Sequence, residues 1–195
     1  MTGPARGATS DGALNSGGGD DGDDADLARV ASLVRDVPDF PEPGVVFRDI
    51  TPVLADAAAF TTLSVSLAAL AGEADVIVGV EARGFLLGAA AALAAGTGSV
   101  PIRKAGKLPR VAASRDYDLE YGSATLELPA DVLAPGARVL VVDDVLATGG
   151  TAAAACDLVA AAGAEVLGFA VFIELSALGG RSRLADVPVH ALLTC

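Results

Sequence analysis

Short apolar runs alternate with helix-like stretches along most of this chain. The apolar runs are rich in β-branched residues and predict strands at residues 45–47, 75–80, 99–103, 139–142 and 165–173, with a last edge strand at 189–193. The patterns between them predict helices at residues 26–35, 57–71, 86–95 and 151–162, and a short helical turn at 176–184. This alternation is typical of a doubly wound, mainly parallel α/β sheet flanked by helices, with ligands at the carboxyl ends of its strands.

Three stretches depart from the alternation. Residues 37–44 contain three prolines and predict a stiff, extended connector. Residues 111–121 predict a flexible excursion before an exposed strand at 123–128, and together they predict a hairpin lid. Residues 1–24 are rich in glycine and aspartate and predict a disordered acidic tail, which leaves residues 25–195 as a single domain.

Composition narrows the possible partners. The formal net charge is −12, and an acidic surface argues against a nucleic-acid partner. No apolar run is long enough to span a bilayer, so no membrane partner is expected. The two cysteines, Cys156 and Cys195, lack metal-ligand spacing and fit a reducing cytoplasm. A phosphate site in such a protein must be locally basic or built from backbone donors.

Residues 139–151 carry the clearest chemistry. The adjacent carboxylates Asp143 and Asp144 follow an apolar strand, where that strand should end. A small-residue loop then leads into a helix, and it consists of Ala147, Thr148, Gly149, Gly150 and Thr151. The backbone N–H groups of such a loop and the helix dipole suit a phosphate monoester. The carboxylates repel phosphate and suit the hydroxyls of a ribose, or a Mg²⁺ that the hydroxyls share, so the run predicts a phosphoribose site. A chance acidic strand end beside a helix cap would explain single residues but not the whole run.

A second strand–loop–helix unit surrounds Arg83 and Gly84. Arg83 supplies charge for a phosphate, and Gly84 would let the backbone approach it, although a surface arginine after a strand is the simpler interpretation. Four of the 13 basic residues lie at the end of the next strand and just after it, and they are Arg103, Lys104, Lys107 and Arg110. In an acidic protein this cluster indicates an anion more than a balance of local acid. Phe47 is either a core aromatic or a ring that stacks on a flat heterocycle.

These motifs resemble those of the type I phosphoribosyltransferase family. Residues 139–151 closely resemble its binding motif for phosphoribosyl diphosphate (PRPP). Three further strings resemble those of the adenine-specific members, namely Phe-Pro-x-Pro-Gly-Val-Val-Phe-Arg-Asp-Ile-Thr-Pro-Val-Leu, Arg-Lys-x-Gly-Lys-Leu-Pro and Tyr-Asp-Leu-Glu-Tyr-Gly. The likeness runs from about Asp36 to Leu193. It implies the family fold, with a small N-terminal hood at about residues 36–52 and a flexible lid at about 104–128.

The resemblance also implies an activity, the conversion of adenine and PRPP to AMP and diphosphate with Mg²⁺. It assigns adenine to Val46, Phe47 and Arg48. It assigns the pyrophosphate to the 81–85 loop and Lys107, with a cis Glu81–Ala82 peptide, and it implies a homodimer in which Arg103 reaches into the neighbouring site.

The general acid–base group is expected in the lid. Asp118 and Glu120 alternate on one face of an extended segment, so the sequence alone does not separate them. The resemblance selects Glu120.

Two rival functions remain open at this point. The chain could serve another base, such as xanthine or orotate, against which the hood and lid strings argue. It could instead be a regulator that binds PRPP or a nucleotide on the same fold, but a regulator would be expected to lack catalytic residues or to carry an added nucleic-acid-binding module.

Overall fold

A mainly parallel sheet forms the body of the protein. The structure is a computed structural model that describes residues 20–118, 123–184 and 186–195. Its strands are β1 (Arg35–Pro38), β2 (Val46–Asp49), β3 (Val76–Val80), β4 (Gly98–Lys104), β5 (Val111–Asp118), β6 (Ser123–Pro129), β7 (Arg138–Leu146), β8 (Glu165–Glu174) and β9 (Val189–Thr194). Its helices are α1 (Asp20–Ser32), α2 (Thr51–Ala55), α3 (Ala57–Ala69), α4 (Arg83–Ala95) and α5 (Gly150–Ala161), with 3₁₀ turns at Ser176–Leu178 and Gly180–Leu184.

Seven of the described strands form one sheet in the order β5-β6-β4-β3-β7-β8-β9. Strands β4, β3, β7, β8 and β9 run parallel, while β6 and β5 continue the sheet antiparallel. This confirms the predicted doubly wound α/β fold and the edge position of the last strand.

Two hydrophobic clusters cover the two faces of the sheet. Val139 and Val141 of β7 pack in the cluster that contains α5, whereas Leu140 and Val142 pack with α3 and α4. Because successive side chains of a strand point to opposite faces, β7 is buried on both sides and needs an unbroken apolar run.

The strand order reverses between the neighbouring strands β3 and β7, because the strands that follow them are added on opposite sides. From β3 the chain passes through α4 to β4 on one side, and from β7 it passes through α5 to β8 on the other. Such a switch point leaves a crevice outside the carboxyl ends of the two strands, where ligands bind in open α/β sheets.

The N-terminal region differs from the prediction. The first helix ends at Ser32, and Arg35–Pro38 forms a strand paired antiparallel with β2, from Arg35↔Asp49 to Pro38↔Val46. The prolines predict a connector, but an edge strand tolerates proline, and proline biases the residue before it towards extended backbone. The described helix also begins at Asp20 rather than at Asp26, inside the predicted tail, and residues 1–19 lie outside the described residues.

The predicted lid is a hairpin, but its first arm is a regular strand. Val111–Asp118 pairs with β6, from Val111↔Pro129 to Asp118↔Ser123, so a regular strand occupies most of the predicted excursion over residues 111–121. The backbone hydrogen bonds of this strand come from its pairing with β6, which the local sequence pattern does not predict. Among the described helices, none combines the length and apolarity needed to cross a membrane.

Candidate active site

A cleft of about 530 Å³ opens at the carboxyl ends of β3 and β7. It lies at the switch point of the sheet, and the hood hairpin β1–β2 forms one of its walls. The predicted residues that line it are Val46, Phe47, Arg48, Arg83, Asp143, Asp144, Ala147, Thr148, Gly149, Gly150 and Thr151. The structure thus brings together residues that are about 100 positions apart in the sequence.

The small-residue loop forms the floor of the cleft at the start of α5. Gly149 precedes the helix with φ of 83°, a left-handed conformation that favours glycine, and Gly150 is the first helical residue. The first turn of α5 therefore lines the cleft, and this end of a helix carries free backbone donors and the positive end of the dipole. Such a terminus binds the phosphate group of a ligand well.

The carboxylates of Asp143 and Asp144 lie inside β7 rather than after it. The prediction placed them at the strand end, but pairing with β8 extends the strand to Leu146. The two residues are 7% and 6% exposed, and the Asp144 N–H donates to Asp143 Oδ1 at 2.8 Å. Burial, followed by the adjacent charge of Asp144, raises the pKa of Asp143 well above its ordinary value. The cleft therefore contains two closely spaced, poorly solvated carboxyl groups.

Arg83 connects two parts of the cleft. Its Nη2 lies 2.8 Å from Asp144 Oδ2, and its guanidinium carbon lies 4.9 Å from the centre of the Phe47 ring. The Phe40 ring meets Phe47 edge-on, with 5.2 Å between centroids. Phe47 therefore contacts both a cation and a second ring, and it lines the cleft rather than the core.

Gly84 has a packing role in addition to the one predicted for it. It lies in the first turn of α4, which begins at Arg83 rather than at Leu86, and it is not among the residues that line the cleft. A β-carbon on Gly84 would come within 2.9 Å of both Asp143 Oδ1 and the Val142 carbonyl oxygen. Only glycine lets α4 approach the acidic strand this closely. The peptide bond Glu81–Ala82 before the helix is cis, as the resemblance implies.

Basic residues at the end of β4 and just after it lie around the carboxylate of Glu81. Lys107 Nζ lies 2.6 Å from Glu81 Oε1, and Arg103 Nε lies 3.4 Å from Oε2. Burial alone would raise the pKa of Glu81, but the Lys107 hydrogen bond, the Lys104 amide and the two cations hold it below its usual value. Arg103 and Lys107 are absent from the cleft lining within the described residues, whereas Lys104 is part of it. Arg110 instead pairs with Asp131.

Several cleft residues were not singled out from the sequence. They are Glu81, Tyr117, Val145, Leu175 and Leu178. Val145 follows the acidic pair within β7, and a predicted strand that extended beyond residue 142 would have included it. Leu175 and Leu178 come from a distant turn that no local pattern connects to the cleft. The predicted Glu120 lies in residues 119–122, outside the described residues.

The carboxylate pair suits a metal ion whose remaining ligands come from the substrate. Asp144 Oδ2 is buried and accepts no hydrogen bond in the described part of the chain, although Arg83 is near. No group of three or more metal-ligating side chains occurs among the described residues. Mg²⁺ commonly binds through one or two carboxylates, with water and phosphate oxygens completing its shell. Asp143 and Asp144 could hold Mg²⁺ in this way.

Comparison with known proteins agrees with this geometry. Residues 50–189 match the family model of the phosphoribosyl transferase domain. The fold is therefore that of a phosphoribosyltransferase, and the chain belongs to this class.

Individual relatives narrow the class further. Adenine phosphoribosyltransferase of Saccharopolyspora erythraea is 64% identical over 167 residues, covering 85% of this chain and 91% of that protein. The crystal structure of adenine phosphoribosyltransferase from Rhodothermus marinus is 47% identical, with a TM-score of 0.83, and the match covers 88% of this chain and 99% of that one. The enzyme from Saccharomyces cerevisiae, whose structure contains adenine and an imino-altritol bisphosphate, is 39% identical with a TM-score of 0.82 over 87% of this chain and 99% of that one. The chain belongs to the adenine phosphoribosyltransferase family.

Proposed function

We propose that this protein converts adenine and PRPP to AMP and diphosphate, as a pentosyltransferase of purine salvage. The observation that carries the proposal is one cleft that combines an anion-binding helix start, a buried carboxylate pair and an aromatic ring. The adenine-specific names of the relatives and the adenine in the yeast structure support the choice of base.

The 5′-phosphate binds at the loop from Ala147 to Thr151. Its backbone N–H groups are fixed by the start of α5, so they need little reorganisation when the phosphate arrives. The ribose then lies towards the acidic pair.

Asp143 and Asp144 act on the sugar. They accept hydrogen bonds from the ribose hydroxyls, and their negative charge favours the positive charge that develops on the anomeric centre. In the reaction a ring nitrogen of adenine bonds to the anomeric carbon while the bond to diphosphate breaks. Both carboxylates are largely removed from water, which strengthens this electrostatic contribution.

The leaving diphosphate is stabilised by cations near the 81–85 segment. Arg83 faces the cleft, while Lys107 and Arg103 are held by Glu81. We infer that diphosphate competes with Glu81 for Lys107. Phosphoribosyltransferases generally use Mg²⁺ with PRPP, and when bound here it would neutralise diphosphate charge beside Asp143 and Asp144.

The base lies against the hood. Phe47 offers a flat apolar face, and the backbone of Val46 and Arg48 lies beside it to recognise the edge of the ring. Arg48 also pairs with Asp36 across the hood hairpin, which holds β1 to β2. We propose that Glu120 of the lid accepts the proton that leaves the adenine imidazole. A closed lid excludes water, which would otherwise hydrolyse PRPP.

We also propose that the enzyme works as a cytoplasmic homodimer, with Arg103 reaching the partner's site. Arg103 lies 5.7 Å from the centre of the Phe85 ring, beside a shallow hollow of about 290 Å³ outside the cleft. Its side chain is one-third exposed, and Arg103 is not among the described residues that line its own cleft, which supports a contact with a second copy.

The decisive assay measures AMP formation from adenine and PRPP with Mg²⁺. The same assay with hypoxanthine, guanine, xanthine and orotate tests base preference, and ribose 5-phosphate in place of PRPP is the negative control. Adenine should give the highest kcat/KM by at least about a hundredfold, because a site that hydrogen-bonds a ring edge rejects bases with mismatched donors. A preference for another base would refute the adenine assignment. PRPP binding without turnover of any base would indicate a regulator instead.

A further inference from the structure

The turn Gly180–Leu184 packs against the loop proposed to bind the phosphate, residues 147–151. Gly180 opens the 3₁₀ turn Gly180–Leu184, and a β-carbon added there would overlap the Ala147 carbonyl oxygen and come within 2.9 Å of the Gly149 nitrogen. A β-carbon on Gly149 would in turn overlap the Gly180 carbonyl oxygen. The two backbones therefore touch with no side chain between them, at the residues that lead into α5.

Arg181 fixes this turn to the edge of the sheet. Its Nε and Nη2 donate to the two carboxylate oxygens of Glu174 at 3.0 and 2.5 Å, and its Nη1 donates to the Val189 carbonyl oxygen at 2.7 Å. Glu174 is 7% exposed and ends β8, while Val189 begins β9. A bidentate arginine–carboxylate pair of this kind holds a fixed geometry.

The same anchor reaches the start of the loop. Leu146, the last residue of β7, pairs with Glu174, and the Leu175 N–H donates to the Leu146 carbonyl at 2.9 Å. Glu174 thus contacts both β7, which precedes the phosphate loop, and the turn Gly180–Leu184, which packs against the middle of that loop. The nitrogen atoms of the Arg181 guanidinium are engaged by Glu174 and Val189, so Arg181 acts on the loop through Gly180.

We propose that Gly180 and Arg181 are positioning residues for the 5′-phosphate site, a role that rests on the proposed function. They hold the Ala147–Gly150 backbone so that its N–H groups converge on the phosphate before substrate binds. Binding groups must stay within about 0.5 Å of the productive geometry to act at full strength. A shift of the turn away from Ala147 therefore weakens the phosphate contacts first and the base contacts least.

The contribution of the phosphate is measured by comparing AMP with adenosine, which differ only in that group. We would measure both dissociation constants by calorimetry for wild type, Gly180→Ala and Arg181→Lys, together with KM for PRPP and for adenine. Gly179→Asn is the matched glycine control, because Gly179 has φ of 65° and open space around its β position, and asparagine tolerates left-handed backbone. Arg183→Lys is the matched arginine control, since Arg183 is an exposed residue of the same turn.

Gly180→Ala should lower the preference for AMP over adenosine by about tenfold to a hundredfold, the loss of one charge-assisted hydrogen bond. KM for PRPP should rise by a similar factor, while the adenosine affinity and the KM for adenine stay within about twofold, as expected when one group's contacts are lost. Arg181→Lys should move the same ratio in the same direction, and it decides the matter if Gly180→Ala does not fold. Both controls should keep the wild-type ratio.

An unchanged ratio in a folded Gly180→Ala protein would overturn the inference. Equal weakening of AMP and adenosine would overturn it too, because that is the result of a merely structural defect. The proposed function is tested separately by wild-type turnover. If wild type bound AMP but formed none from adenine and PRPP, the proposed reaction would fail while the phosphate ratio could still be compared among the variants.

Discussion

Asp143→Asn should make the protein more stable and slower. The Asp143 carboxylate is buried beside Asp144, and burial and then that neighbouring charge raise the pKa of Asp143. Asparagine keeps the Oδ1 that accepts the Asp144 N–H, so the substitution removes charge with little change of shape. If Asp143 serves catalysis and destabilises the fold, its replacement should raise stability and lower turnover.

The magnitudes follow from the role of one charge. Relief of the buried charge should stabilise the fold by about 0.5–2 kcal/mol, the usual range for such substitutions. In a protein of this size that raises Tm by about 1–8 °C. Loss of one electrostatic group costs about 3 kcal/mol of transition-state stabilisation, which lowers kcat about a hundredfold.

The pH dependence gives a sharper check. Because the folded state raises the pKa of Asp143, it binds the proton more tightly than the unfolded state does. Wild-type stability from this group is therefore highest below the unfolded pKa of aspartate and falls as pH rises through the folded pKa. The Tm advantage of Asp143→Asn should vanish at acidic pH and grow towards neutrality.

Differential scanning calorimetry across pH, with kcat measured at neutral pH, tests both parts. Asp157→Asn is the control, because that carboxylate is half exposed and pairs with Arg115 on the surface, where such a pair contributes about 0–1 kcal/mol. A Tm that falls at neutral pH, or a gain that is equal at acidic pH, would refute the stability argument. Near-wild-type kcat in Asp143→Asn would refute the catalytic one.

Three further predictions follow from the site and the chain end. Glu120→Gln should lower kcat about 10²–10⁴-fold in the steady-state assay, and a large loss in Asp118→Asn instead would reverse the two roles. Gly84→Ala should destabilise the protein by about 1–3 kcal/mol in urea titration, because the new methyl group would contact the acidic strand, whereas Gly98→Ala, with open space around it, should not. Deleting residues 1–19 should leave Tm and kcat nearly unchanged, as their glycine-rich composition indicates. A marked loss of either would show that this segment contributes to the fold or the site.

Local patterns were sufficient where one segment determines its own structure. The buried run of β7 and the loop that starts α5 are continuous in sequence, so strand, loop and helix were predicted together. The end of β7 was not, because its pairing with β8 carries the strand past Asp143 to Leu146. Strand length depends on a partner that no local window contains.

Contacts between distant segments account for the other differences. The basic cluster was predicted from its charge, yet the carboxylate that holds Lys107 and Arg103 lies more than 20 residues earlier, at Glu81. Gly84 was predicted to serve a ligand, and the structure adds a second reason for glycine there, the close approach of α4 to Val142. The sequence alone identifies which residues stand out by charge or by size, but tertiary packing determines which distant residues they contact.

The position of Arg83 limits how this scaffold can change its choice of base. One guanidinium lies over the ring of Phe47 and also pairs with Asp144, so the ring proposed to contact the base and the carboxylate proposed to bind the sugar share a single side chain. A redesigned hood without a flat ring at that position also removes the contact that orients Arg83. Under the proposed assignment, base preference is therefore coupled to the sugar site, and a change of the hood is expected to require a matching change in β7.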